Sequence, residues 1–196
     1  MAYGEVPEFV ASQLAKPQTH SRQALIFAIL TAARSGEVRG ATWQQIDLDA
    51  RIWTRPATLM KMKDPHVVTL SEAAVSILEA IAPESGRQGL IFPGRSIDKP
   101  MSDMTLTKIM RLAGRDEAVH GFRSTFRDWA AEKMPMIPDK VAEMALAHKV
   151  GSATEQAYLR TDMREHRRVL MEAWGQFVYG ARAKSNVVQL TLASKG

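Results

Sequence analysis

The sequence predicts a mainly helical protein carrying one small antiparallel sheet. Apolar residues recur at helical spacing through most of the chain, the period switches to two only in the runs 46–54 and 66–70, and capping residues or Gly and Pro punctuate the segments. Residues 5–14 place Val6, Phe9, Val10 and Leu14 on one stripe, which Pro17 interrupts. Thr19 is an N-cap candidate for a second helix through Leu25, Ile26, Phe27, Ile29 and Leu30. A face this apolar belongs in the core, and the helix is predicted to end near Arg34, Ser35 and Gly36.

The strand-like runs come next, the first turning at 48–51. The intervening stretch 54–65, with Pro56, Pro65 and two lysines, reads as the hairpin or loop connection of the sheet. Ser71 can cap a helix through Val75, Leu78 and Ile81 that Pro83 and the turn 84–89 stop, and 90–92 reads as a short buried extended piece. Further helices are predicted over 103–113, closed by Gly114, and over 120–133. Pro138 suits the first position of the next, which carries Val141, Met144, Ala145 and Leu146. Ser152 with Glu155 and Asp162 with Glu165 form capping-box patterns. The first opens a short helix holding Tyr158; the second opens a longer one through Val169, Leu170, Trp174 and Phe177, with a polar tail from Gly180 that includes Val187, Val188 and Leu190.

Composition narrows the chemistry. The 196 residues are 45% hydrophobic and 24% charged, the balance of an ordinary globular chain of one domain or a tight pair. With no cysteine, disulfide scaffolds, thiolate metal sites and cysteine nucleophiles are excluded. The histidines at 20, 66, 120, 148 and 166 show no ligand spacing, which argues against a metal site. The N-terminus has no signal or transit pattern and no apolar run is long enough to span a bilayer, so a soluble, cytoplasmic protein without membrane contact is expected. A net charge of +5 raises the prior for a polyanionic partner, although residues 1–158 hold 19 basic against 18 acidic groups and 159–196 hold 7 against 3.

Four segments place polar groups where the pattern around them is apolar. In AARSGE, Arg34 either closes a buried helix with Glu37 as its partner or offers its guanidinium to a ligand at the edge of the core. In HGFR, His120 and Arg123 are three apart on one helical face while Phe122, Phe126 and Trp129 point to the core. A five-donor guanidinium beside an imidazole suits an oxyanion such as phosphate, and equally serves as structure. His148, ending the apolar VAEMALA segment, caps a helix or faces a cleft. Lys61, with Lys63 near it, is a solvated loop lysine or a proton donor on a turn, and Tyr158 is a packing residue or a nucleophile.

The joint order changes those odds: an arginine before a small sheet, a lysine in its hairpin, HxxR on a later helix, a histidine at a helix end, and a tyrosine ten residues on. In this order, and in the stretches AARSGEVRGA, HGFRSTFRDWA and EMALAH, the chain resembles the tyrosine recombinase, or phage integrase, family from about Val6 to Trp174, with the strongest likeness to integrases of P4-like prophages and genomic islands. The resemblance implies the family's DNA breaking-rejoining catalytic fold over 1–180 and a C-terminal tail over 181–196 that packs in cis or in trans as a short strand. No counterpart of the family's N-terminal core-binding and arm-binding domains is expected in this sequence, which reads as a catalytic-domain fragment or, as the alternative, a truncated remnant.

Position by position, the resemblance implies that Arg34 and Arg123 clamp a scissile phosphate, with Glu37 supporting them and His148 bonding a phosphate oxygen. It makes Tyr158 the nucleophile, His120 the base and Lys61 the general acid. Counting back from HVVTL selects Lys61 over Lys63; Thr69 stands where the family commonly has proline, and Asp64 where a basic residue is frequent. The implied activity is site-specific integration and excision through a 3'-phosphotyrosine, without metal or cofactor. The implied partners are double-stranded DNA attachment sites, a homotetramer formed on DNA from an isolated monomer, and accessory DNA-bending and directionality proteins. The alternatives weighed are a non-cutting DNA-binding module, a type IB topoisomerase-like enzyme and, outside the family, a metal-dependent nuclease.

Overall fold

The computed structural model describes residues 1–59, 65–148 and 163–183. A 3-10 turn at Tyr3–Glu5 leads into α1 (Val6–Leu14), which buries Val6, Phe9 and Val10 as the spacing requires. Helix α2 (His20–Thr31) is capped by Thr19, whose hydroxyl accepts the Arg22 N–H, and its residues from Gln23 to Thr31 are all buried. The helix stops earlier than the sequence suggests: Ala32 adopts left-handed φ 48°, and the chain restarts as α3 (Ser35–Arg39). Arg34 is therefore the N-cap of α3, not the last turn of α2.

The sheet is antiparallel, in the order β1 (Ile46–Asp47), β2 (Ile52–Arg55), β3 (His66–Thr69). Its register pairs Trp53 with Val68 and Arg55 with His66, so these four share one face. That face docks on α2, with the Trp53 and Phe27 rings 5.5 Å apart. Thr69 ends β3 and is buried. The β2–β3 connection begins with a 3-10 turn at Ala57–Leu59; Lys61, Lys63 and Asp64 lie outside the described residues. Residues 90–92 contribute only a bridge between Thr42 and Leu90, with Ile91 and Phe92 in the core.

Ser71 caps α4 (Glu72–Ile81) through the Ala74 N–H, and α5 (Met104–Leu112) closes at Gly114, which takes φ 71°. Helix α6 (Gly121–Lys133) turns Phe122, Phe126 and Trp129 inward. Pro138 is the N-cap of α7 (Asp139–Ala145) rather than its first residue, a shift of one position at an already irregular start. The last described helix, α8 (Arg164–Ala183), runs through Gly180, which costs only about 1 kcal/mol relative to alanine and does not break a helix held by tertiary contacts. Val169 on this helix is 56% exposed, whereas Leu170 and Trp174 are buried.

Helix α8 ties the domain together. Trp174 donates its indole N–H to the Ile29 carbonyl of α2 at 2.8 Å and stacks among Phe126, Trp129 and Phe177. The helix also packs along α1 and against α4, α6 and α7, so the first and last described helices share one core. Among the described residues, no helix is long and apolar enough to cross a membrane.

Candidate active site

Three helix ends and one strand end converge on a cluster of guanidinium groups. At the start of α3, the Glu37 carboxylate receives the Arg34 backbone N–H and Arg34 Nη1, both at 2.9 Å, which is the reaching-back half of a capping box. Oε2, the oxygen that accepts the Arg34 backbone N–H, also contacts the guanidinium of Arg55 at the end of β2. Burial raises the Glu37 pKa, but the charge of Arg55 and the two Arg34 contacts outweigh it, leaving the carboxyl below its ordinary range. Arg55 is 4% exposed and lies over the Trp53 ring; burial lowers its pKa more than Glu37 raises it. The Arg34 side chain keeps 41% of its surface open to solvent, so this arginine can reach a ligand while anchored.

Arg123 rises from the first turn of α6 and is also 4% exposed. Its Nη1 donates to the Ala32 carbonyl at 2.7 Å and Nη2 to the Leu146 carbonyl at 2.6 Å. These carbonyls terminate α2 and α7, where a cation also offsets the helix dipoles. Burial, then repulsion from Arg34, brings the Arg123 pKa down to about 10, so it remains a cation at neutral pH. Nη2 also approaches His148 Nε2 at 3.0 Å.

His148 reaches that position through the end of α7. Ala147 takes left-handed φ 54°, its N–H bonds the Met144 carbonyl, and the His148 N–H bonds the Glu143 carbonyl at 2.9 Å, a Schellman wrap closed by alanine instead of glycine. The wrap returns the imidazole over the helix end, where Nδ1 meets Glu143 Oε2 at 2.7 Å. Glu143 in turn receives Arg127 Nε at 2.5 Å.

The structure thus brings together Arg34, Glu37, Arg123 and His148 from the sequence-selected set. His120 stands at the N-cap of α6, exposed, and its side chain makes no hydrogen bond among the described residues. Lys61 and Tyr158 lie outside the described residues, as do the Ser152 and Asp162 caps and the tail beyond 183. Sequence reasoning missed Arg55 and Glu143. Arg55 had a readable signal, a charge two residues after Trp53 on the inward phase of a strand; Glu143 had none, since its pairing with His148 depends on a left-handed alanine. Among the described residues, no group of three or more histidine or acidic side chains is placed to hold a metal ion. The cluster presents cations and hydrogen-bond donors, a chemistry that suits an anion.

A helical body with a small docked sheet and two arginines beside a histidine defines the class, and the chain belongs to the phage integrase family, whose sequence profile matches residues 5–165. It is 36% identical over 171 residues to the protein named prophage integrase IntA of Escherichia coli K12, an alignment spanning 86% of this chain and 41% of that one. It is 32% identical to prophage integrase IntZ of the same strain, over 89% of this chain and 43% of the relative. The integrase of Enterobacteria phage P4 is 31% identical over 88% of this chain and 43% of its own length. The chain therefore spans less than half the length of these relatives. No solved structure matches it significantly.

Proposed function

We infer that the chain is the catalytic domain of a tyrosine recombinase that integrates or excises a mobile DNA element at specific sites. The observation that carries this reading is the seating of Arg123 and His148 on two helix ends beside the Glu37-anchored Arg34. That arrangement supplies several donors to one phosphate without a metal. A phosphodiester is a poor electrophile with an alkoxide leaving group, so its cleavage needs charge stabilisation, an activated nucleophile and a proton for the departing oxygen.

In this reading Arg34 and Arg123 bind the nonbridging oxygens and stabilise the charge that builds at phosphorus. One preorganised oxyanion donor is worth about 3–4 kcal/mol, or roughly two to three orders in rate, so neither arginine is dispensable. Tyr158 attacks phosphorus; His120 takes its proton, and His148 bonds a phosphate oxygen. Lys61 gives a proton to the 5' oxygen as the P–O bond breaks. The products are a 3'-phosphotyrosine and a 5' hydroxyl, which conserves the bond for rejoining to a second strand. The partners are double-stranded attachment-site DNA and further copies of the chain assembled as a tetramer on it, with DNA-bending and directionality proteins as accessories.

The test is covalent trapping. The protein, incubated with a nicked suicide substrate carrying its core site and no divalent metal, is expected to form an SDS-resistant DNA adduct, and Tyr158→Phe is expected to form none. An adduct that persists in Tyr158→Phe assigns the nucleophile elsewhere. A strict requirement for divalent metal overturns the mechanism.

A further inference from the structure

We propose that Glu143 is a positioning residue that fixes the tautomer and orientation of His148. The inference rests on the phosphate site proposed above, and its argument comes from the two ring nitrogens separately. Arginine has no acceptor, so where Arg123 Nη2 lies 3.0 Å from His148 Nε2, that nitrogen must accept and carry no proton. A carboxylate has no donor, so where Glu143 Oε2 lies 2.7 Å from Nδ1, that nitrogen must carry one. Both contacts specify the same neutral form, with the proton on Nδ1.

Glu143 is itself held. Arg127 Nε donates to its other oxygen at 2.5 Å, and Arg127 Nη2 lies 3.5 Å from Asp139 Oδ2, so Asp139, Arg127, Glu143, His148 and Arg123 form a chain of alternating charge and dipole. Backbone geometry enforces the same arrangement, because the Glu143 carbonyl and the His148 N–H bond each other across the end of α7. The second ring nitrogen is thereby aimed toward the guanidinium that binds phosphate. When a phosphate oxygen takes up Arg123, Nε2 is released; on taking a proton from solvent it donates to that oxygen, while Nδ1–H stays on the Glu143 carboxylate at the opposite edge. Removing the carboxylate frees the ring to flip and leaves its doubly protonated form without a counter-charge, so His148 loses its fixed approach to the phosphate oxygen.

The experiment joins spectroscopy to activity. Long-range nitrogen–proton correlation spectra of histidine-labelled, DNA-free protein at pH 8, with His148 assigned by its loss in His148→Gln, are expected to show the proton on Nδ1 in the wild type. In Glu143→Ala that pattern gives way to the Nε2-protonated form or an average of the two, and covalent-complex formation falls by about 10- to 100-fold, as for other residues that orient a functional histidine. Glu143→Gln, which retains an acceptor, keeps the Nδ1 form and loses less activity. A wild type protonated on Nε2, or a folded Glu143→Ala with unchanged tautomer and rate, overturns the proposal. Should Glu143→Ala fail to fold, the wild-type and Glu143→Gln spectra still decide. If the wild type forms no covalent complex, the catalytic reading fails by itself, and the DNA-free spectra still decide the role of Glu143.

Discussion

Replacing Glu37 by alanine isolates the carboxylate on which two arginines depend. It removes the acceptor for Arg34 Nη1 and for the Arg34 N–H, and it leaves Arg55 without its counter-charge at 4% exposure. Deleting one partner of a buried ion pair costs about 3–5 kcal/mol, because the remaining charge stays desolvated. The lost carboxylate at the start of α3 adds about 0.3–1 kcal/mol. A total near 4 kcal/mol lowers the melting temperature of a domain this size by about 8–16 °C. Arg55→Met keeps a long side chain over Trp53 and leaves Glu37 paired with Arg34, so its cost is smaller, about 1–2 kcal/mol. The double variant strands no charge and should fall short of the sum of the two by about 2–3 kcal/mol. Urea denaturation followed by tryptophan fluorescence and circular dichroism measures all three. A Glu37→Ala cost below about 1 kcal/mol, or additivity within about 0.5 kcal/mol, refutes the assignment of Glu37 as the hub.

His66 pairs with Arg55 across the strands, and burial, then the charges of Arg55 and Arg167, lower its pKa to about 3. The unfolded chain takes up this proton near pH 6.5 and the folded chain only near 3, so stability is lost as pH drops from 6.5 to 3, by up to about 1.4 kcal/mol per unit. His66→Leu should flatten the slope in melts between pH 6 and 4; an unchanged slope places the proton uptake on another group. A Cβ at Gly175 would lie 2.5 Å from Ser71 Oγ and 2.6 Å from its Cβ, so Gly175→Ala should push α8 off the start of α4 and cost about 1–3 kcal/mol. A thermal melt unchanged from wild type contradicts that packing.

Local chemistry made much of this fold legible. Thr19 and Ser71 cap the helices they precede because their hydroxyls need only a backbone N–H three residues on. Gly114 closes α5 because it takes φ 71° without strain. The break between α2 and α3 was not legible, because the left-handed residue is Ala32, an unfavourable choice by about 1–2 kcal/mol. Its carbonyl is gripped by Arg123, 91 residues away, and no local pattern reports that. The same applies at Ala147, whose turn delivers His148 to Arg123 and Glu143. Motif order singled out Arg34 and Arg123 as candidates without showing how differently they are held, one half-open at the start of a short helix and the other sunk between two helix ends.

Arg123 answers to two demands at once. Deleting its side chain would orphan the carbonyls of Ala32 and Leu146 in the interior, at about 1–3 kcal/mol for each. An inactive variant at this position is thus also a weakened protein, and its lost activity measures catalysis only after the melt has been subtracted. The fold makes no such demand of an exposed histidine such as His120, whereas the buried arginine is required by the architecture whatever chemistry it serves.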